Sequence, residues 1–267
     1  MIYLIKNLIK KFLSIFNIFA HKSISKDKII LFISLFKVKI PSNIKLIRIG
    51  SKNDGGYLVP DVLDKIDHCF SAGIGSNVEF EKSLLKYQIK SYGADNSINN
   101  IPEEVDGYSF LKKNIDILND ESNITFEKWV NDQNLNNNLI GQIDIEGGEY
   151  NLILNTPNKI FQKFKVLIFE FHNIQKISDN ITYEFYSSSI KKLLENFNVC
   201  HIHINNAEKF TTIRNINVPH LLEVTFLRKD FYDKKFNKVQ LPHLLDKKNV
   251  PNNPEIKFDK IWLENIT

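Results

Sequence analysis

The chain has 267 residues, 43% of them hydrophobic and 12% aromatic, enough for the packed core of one α/β domain with an extension or of two small domains. Its formal charge of +4 is unevenly spread: residues 1–48 hold ten Lys/Arg against the single acid Asp27, a net +9, and the remainder carries −5. A mildly acidic body with a basic arm excludes a dedicated nucleic-acid binder, which spreads Lys/Arg over its folded surface.

In the arm, Ile2, Ile5, Ile9, Phe12, Phe16 and Phe19 recur at three and four residues with Lys6, Lys10 and Lys11 off the stripe, predicting a basic amphipathic helix. It is read either as a helix packed on its own domain or on a homodimer mate, or as a peripheral membrane anchor. A secretory signal is disfavoured, because Lys10 and Lys11 leave only Phe12 to Ala20 as an apolar stretch and no small-residue cleavage site follows. The run from Ile29 to Phe36 is too short to span a bilayer. Cys69 and Cys200 lie in apolar strand-like runs and read as buried free thiols, which suits a cytoplasmic protein, membrane-peripheral if the arm is an anchor.

From Pro41 onward short apolar runs alternate with helical stretches. Strands are predicted at Cys69 to Ala72, Ser91 to Ala94, Gly107 to Phe110, Leu139 to Ile145, Val166 to Phe171, Val199 to Ile204 and Leu221 to Leu227. Helices are predicted at Val78 to Gln88, Glu127 to Asn131 and Thr182 to Asn196, with a polar loop from Asn131 to Asn138. This alternation implies an α/β, Rossmann-like, mostly parallel sheet with helices on both faces. The expected division is a basic helical extension over 1–45, a catalytic domain over 46–232 and a loop-rich tail over 233–267 that packs on it.

Gly73-Ile74-Gly75 follows a strand and precedes a helix, a context in which backbone amides can approach an anion. A dinucleotide fingerprint needs a third glycine where Val78 stands, so a pyrophosphate ligand is not supported. Asp95 ends the next strand and is placed for ribose hydroxyls. A two-glycine loop with such an acid suits S-adenosylmethionine; a plain turn with a solvated Asp is the alternative. Asp54-Gly55-Gly56-Tyr57 reads equally as a turn or as a loop folded over the ligand, with Asp54 facing a polar group and Tyr57 stacking.

Period-two geometry puts Asp144 and Glu146 on one face at the C-terminal end of their strand, the edge where open α/β sheets bind ligands. Glu170 and His172 alternate at the next strand end, and His203, Asn205 and Asn206 lie at a third. Carboxylates and imidazoles delivered by three strand ends supply a general base, or ligands for Mg²⁺ or Mn²⁺ with Asp144, Glu170 and His172 as candidates. No zinc pattern, P-loop or Gly-x-Ser-x-Gly elbow is present.

Asp54-Gly55-Gly56-Tyr57, Phe70-Ser71-Ala72-Gly73-Ile74-Gly75, Ile143-Asp144-Ile145-Glu146-Gly147-Gly148-Glu149, Glu170-Phe171-His172 and His203-Ile204-Asn205-Asn206 together resemble the FkbM-type S-adenosylmethionine-dependent methyltransferases, over roughly residues 45–230. The resemblance implies a seven-stranded class I methyltransferase sheet and O-methylation of sugars or polyketide-derived hydroxyls. Many relatives carry an acid where Ser71 stands, which passes its contacts to Glu79 or Asp54. The expected cofactor set is Asp54, Gly55, Tyr57, Ser71, Gly73, Gly75, Glu79 and Asp95. Asp144 and His172 are the expected base and orienting pair, with His203 the rival base, Glu146 and Glu170 positioning hydroxyls or a cation, and Asn205 and Asn206 on the acceptor. The expected function is O-methylation of a sugar or glycan precursor of the surface-polysaccharide type. The alternatives are a nicotinamide-dependent sugar-nucleotide oxidoreductase and a non-catalytic partner of a glycan assembly complex.

Overall fold

Seven runs, all but the edge strand at residues 108–111 largely buried, pair into the central sheet of the computed structural model, which describes residues 2–17, 23–135, 137–232 and 235–267. Phe19, the last member of the arm's apolar stripe, lies outside the described residues. In chain order the elements are α1 (Ile2–Ile15), α2 (Lys26–Ser34), β1 (Leu46–Gly50), β2 (Gly56–Pro60), β3 (His68–Ala72), α3 (Glu79–Leu85), β4 (Lys90–Ala94), β5 (Tyr108–Leu111), β6 (Asn114–Asp116), β7 (Asn123–Thr125), α4 (Phe126–Asp132), β8 (Leu139–Ile143), α5 (Glu149–Asn155), α6 (Asn158–Phe161), β9 (Phe164–Phe171), α7 (Asn180–Asn196), β10 (Phe197–Ile204), β11 (Phe210–Ile213), β12 (Ile216–Pro219), β13 (Leu222–Arg228) and α8 (Lys260–Ile266).

The sheet runs β5-β4-β3-β8-β9-β13-β10, parallel from β5 to β9, with β13 inserted antiparallel between β9 and β10. It is the α/β, mostly parallel architecture expected from the alternating text, in the seven-stranded Rossmann-like form that the family resemblance implies. Strand order reverses between β3 and β8, so the loops that leave their C-terminal ends run in opposite directions and open a crevice.

The two faces of the sheet differ in chemistry. On one, Phe169 and Phe171 of β9 pack with Phe226 of β13, and Tyr150 of α5 sits against Phe171, with α7 stacked on α5. On the other, strand register aligns Ser71, Gln142, Ile168, Thr225 and His201 in one row. The next row brings Glu170, Glu223 and His203 side by side. Polar groups this deep are costly unless paired, and a roof supplies the partners. The β1–β2 ribbon accepts a hydrogen bond from Thr225 Oγ1 on Leu58 O (2.7 Å) and another from Gln142 Nε2 on Tyr57 Oη (3.2 Å). The tail around residues 243–254 covers the rest.

Three elements depart from the sequence reading. The strand expected to reach Ile145 stops at Ile143, because Glu146 (φ 55°) and Gly147 (φ 105°) turn the chain into α5. The helix expected to reach Gln88 ends at Leu85, and Gln88 itself takes φ 63°. The basic extension contains a helix the sequence reading did not assign, α2: Ile29, Phe32 and Ile33, with Phe36 and Val38 after them, belong to the main core, and α2 packs on α8. Both cysteines are buried and free. Among the described residues no helix is long and apolar enough to cross a membrane.

Candidate functional site

Two clefts open side by side at the C-terminal edge of the sheet. The first, about 550 Å³, lies over the reversal point and is lined by Gly73 to Asn77, Asp95, Asn114 to Ile117, Asp144 to Glu146 and Leu152. The second, about 450 Å³, is lined by Glu170, His172, Asn173, Gln175, Asn205, Glu208 and His220. They share Asp54, Asp144 and Glu146 as a common wall.

The first cleft is built largely from backbone. Gly73 adopts φ 75°, and a Cβ there would lie 1.6 Å from Asp144 O, so the β3 turn can pass under β8 only as glycine. Gly75 (φ 51°) meets nothing within 4 Å, leaving its face open to a ligand. Its amide donates to Asp95 Oδ2 (2.8 Å), while Asp95 Oδ1 accepts from the Ser97 amide and hydroxyl (both 2.7 Å). A carboxylate has about four acceptor positions, so Asp95 Oδ2 retains room for one further donor such as a ribose hydroxyl. Ile115, Ile117 and Leu152 give the cleft an apolar wall suited to a planar base. An adenosine bearing an amino acid fits this combination of open loop, single acceptor and apolar wall.

Four of the expected cofactor residues, Gly55, Tyr57, Ser71 and Glu79, do not line this cleft. Ser71 is buried one layer below, against Glu81 and with its hydroxyl 2.6 Å from Gln142 Oε1. One hydroxyl proton cannot serve two acceptors, which matches the Glu81 carboxyl being pushed up to about 7 by burial. Glu79 is exposed and paired with Lys82 (3.0 Å), because its position on α3 faces outward. Tyr57 is buried, edge-on to Phe80 at 5.5 Å, so its ring packs the ribbon on α3. Gly55 and Tyr57 border only a small void of about 60 Å³ next to Gly73 and Asp144. Asp54, in contrast, reaches both main clefts.

The common wall is built from titratable side chains. Glu149, the first residue of α5, is fully buried, and its Oε1 accepts from the amides of Ile145 (3.1 Å) and Gly147 (3.0 Å). The same oxygen lies 3.1 Å from His172 Nδ1, which turns Nε2 toward Glu146 Oε2 (3.4 Å) and Asp144 Oδ1 (3.7 Å). Burial alone lowers the imidazole's pKa, but the hydrogen bond to Glu149 and the surrounding carboxylates outweigh it and raise His172 to about 9. Asp144 rises to about 7, chiefly through desolvation, with the imidazolium opposing and Glu146, Glu149 and Asp54 adding to the rise. Asp144 and Glu146 do not share a strand face as the alternation suggested. Glu146 sits in the left-handed turn with its side chain 89% exposed, whereas Asp144 is only 27% exposed.

Glu170 is buried and receives Asn205 Nδ2 at 2.8 Å; burial, then Asp144, Glu223 and Asp54, push its carboxyl well up, favouring the protonated form. The metal candidates separate into two groups whose ligand atoms lie within 4.8 Å: Asp144, Glu149 and His172, and Asp54, Glu170 and Glu223. His203 and Asn206 lie behind the second cleft. His203 Nδ1 is 3.8 Å from Asp246 Oδ2 of the tail, and Asn206 clasps the tail through its amide to Val250 O (3.0 Å) and from the Val250 amide (2.8 Å). Register puts His203 one strand beyond Glu223, outside the second cleft's lining.

The site therefore draws on residues that sequence reasoning passed over: Glu149 as the imidazole's partner, Glu223 and Asn249 behind Asp54, Asp246 under His201 and His203, and Arg48. Arg48 holds the ribbon turn through the carbonyls of Ser51 (3.0 Å) and Asn53 (2.9 Å). Asn249 donates to both Asp54 Oδ1 (3.1 Å) and Glu223 Oε1, tying tail to ribbon and sheet. Glu223 had a signal, a lone acid at an inward position of the apolar run Leu221 to Leu227. The tail residues had none, because their partners are distant in sequence.

No protein-family model and no curated protein sequence matches the chain. Among solved structures it is similar to a fibrillarin in complex with Nop5p (12% identity, 71% of this chain and 99% of that one, TM-score 0.37). It is also similar to a fibrillarin pre-rRNA processing protein of Methanococcus jannaschii (9%, 70% and 84%, TM-score 0.39). A third likeness is to a precorrin-6y C5,15-methyltransferase of Geobacter metallireducens GS-15 (8%, 79% and 93%, TM-score 0.34). At these scores the likenesses decide neither activity nor substrate.

Proposed function

We propose that the chain is an S-adenosylmethionine-dependent O-methyltransferase acting on a hydroxyl of a sugar or glycan precursor, as its FkbM-type resemblance implies. The observation that carries this proposal is the wall shared by the two clefts. A ligand held by Gly73, Gly75 and Asp95 and a ligand held by Glu170 and Asn205 meet across Asp144. When bound, S-adenosylmethionine supplies an electrophilic methyl group.

The protein's part is to hold the acceptor oxygen and take its proton. With a pKa of about 7, Asp144 is ionised in a large fraction of molecules near neutrality and is a stronger base than a solvated carboxylate. His172, fixed by Glu149, keeps an imidazolium beside that carboxylate and orients it. Protonated Glu170 can donate as well as accept, and with Asn205, Asn173, Gln175 and His220 it lines a polar cleft suited to a ligand with many hydroxyls. Among the described residues Asp144 Oδ1 and Glu149 Oε2 have no hydrogen-bond partner. They would hold Mg²⁺ or Mn²⁺ together with His172 once the imidazole has given up its proton, a proton on Asp144 being the alternative.

Calorimetry with S-adenosylmethionine and with NAD, each repeated in EDTA, tests the proposal. Binding of S-adenosylmethionine alone is expected. NAD binding would favour the oxidoreductase, and binding of neither the non-catalytic partner. Loss of binding in EDTA would assign the ion to the cofactor side.

A further inference from the structure

Helix α1 leaves most of its described apolar face in solvent. At 100° per residue, Leu4, Ile5, Leu8, Ile9, Phe12, Leu13, Ile15 and Phe16 occupy roughly half of the helix circumference, and Lys6, Asn7, Lys10, Lys11 and Ser14 gather on the opposite side. Leu4 is 67% exposed, Leu8 62%, Phe12 61% and Ile15 75%. Among the described residues none of α1 joins the core, whereas α2, which begins at Lys26, is buried in it. Contiguous apolar surface of this kind marks a contact site.

We propose that α1 docks in the plane of an anionic lipid surface. Two features select a bilayer over a second copy of the chain. The stripe is about twice as wide as the a/d seam that pairs two helices. The charge also points one way: the first 26 residues hold Lys6, Lys10, Lys11, Lys22 and Lys26 and no acid, so two arms side by side would repel, whereas anionic headgroups complement them. A helix of 14 residues, about 21 Å long with its lysines flanking an apolar face, lies along the interface and is too short to cross it.

Cosedimentation of the full chain with phosphatidylglycerol-containing and with pure phosphatidylcholine vesicles tests this, alongside Leu8→Glu/Phe12→Glu and Lys6→Gln/Lys10→Gln/Lys11→Gln variants. Binding is expected on the anionic vesicles, weakened at least tenfold by the lysine variant and abolished by the glutamate variant. Thermal unfolding and S-adenosylmethionine binding should stay unchanged in both, since α1 contributes nothing to the core. Absence of vesicle binding, equal binding to neutral vesicles, or a concentration-dependent dimer in sedimentation velocity that the glutamate variant dissociates without any lipid effect would overturn the proposal.

Discussion

The two clefts are made of different material. The first is a backbone construction within the β3, β4 and β8 strand ends, where glycine geometry decides the shape. The second is a side-chain construction in which carboxyls and imidazoles from β9, the β8–α5 turn and the roof set one another's protonation. Substitutions should therefore act through shape on one side and through charge on the other. Asp144 belongs to both, giving its carbonyl to the first cleft and its carboxylate to the wall.

The largest expected effect is at that shared residue. Asp144→Ala should lower methyl transfer about 10²–10⁴-fold, measured with labelled S-adenosylmethionine against a panel of sugars and sugar nucleotides. Cofactor affinity should change only a few-fold; unaltered turnover would remove the base from Asp144.

Next comes the polar roof. Asp246→Asn leaves His201 and His203 buried without their carboxylate and should cost about 3 kcal/mol near neutral pH by denaturant titration. Burial alone lowers the pKa of His203, but the Asp246 carboxylate 3.8 Å away and Glu223 outweigh it and raise the imidazole to about 9. That stability is complete below about 6.5 and disappears as pH rises through about 9. Burial raises the Asp246 carboxyl, but the two imidazoles more than reverse this and leave it lowered, so its contribution holds above about 3.8 and is lost as pH falls. The variant should flatten both limbs of the stability profile.

Gly73→Ala separates shape from charge. It should weaken S-adenosylmethionine binding at least tenfold, because the added methyl meets a backbone carbonyl, whereas Gly75→Ala meets open space and should cost about 1–2 kcal/mol of backbone strain. Equal effects at the two glycines would contradict the backbone account of the first cleft.

A smaller change concerns protonation alone. The pH–rate profile should be a bell with limbs near 7, as Asp144 ionises, and near 9, as His172 loses its proton. Glu149→Gln should move the alkaline limb down while leaving the acid limb nearly in place. Glu79→Ala, at an exposed ion pair, should change cofactor affinity and stability by less than about 0.5 kcal/mol.

The same contrast explains what was legible in the sequence. The sheet followed from apolar runs and helix spacing. Gly73, Gly75 and Asp95 were readable because the turn, the acid and their strands are neighbours in the text. Glu149 belongs to the glycine-flanked acidic motif, but nothing in the text links it to an imidazole 23 positions away. Glu79 lies on the outward face of α3 and Ser71 below the cleft: the acid that turns inward from α3 is Glu81, to which Ser71 is bonded. The β1–β2 ribbon, its anchor Arg48 and the tail residues Asp246 and Asn249 could not be read, because five-residue strands and isolated tail side chains carry little periodicity and their meaning lies in contacts such as Asn249 with Asp54, 195 residues apart.

A crystal structure of the chain soaked with S-adenosylhomocysteine tests the central claim most directly. The ribose is expected on Asp95, the amino-acid end on the Gly73–Gly75 loop, and the sulfur turned toward Asp144 and the second cleft. A ligand bound elsewhere, or one whose sulfur faces Asn114 to Ile117 instead, would contradict transfer across the shared wall.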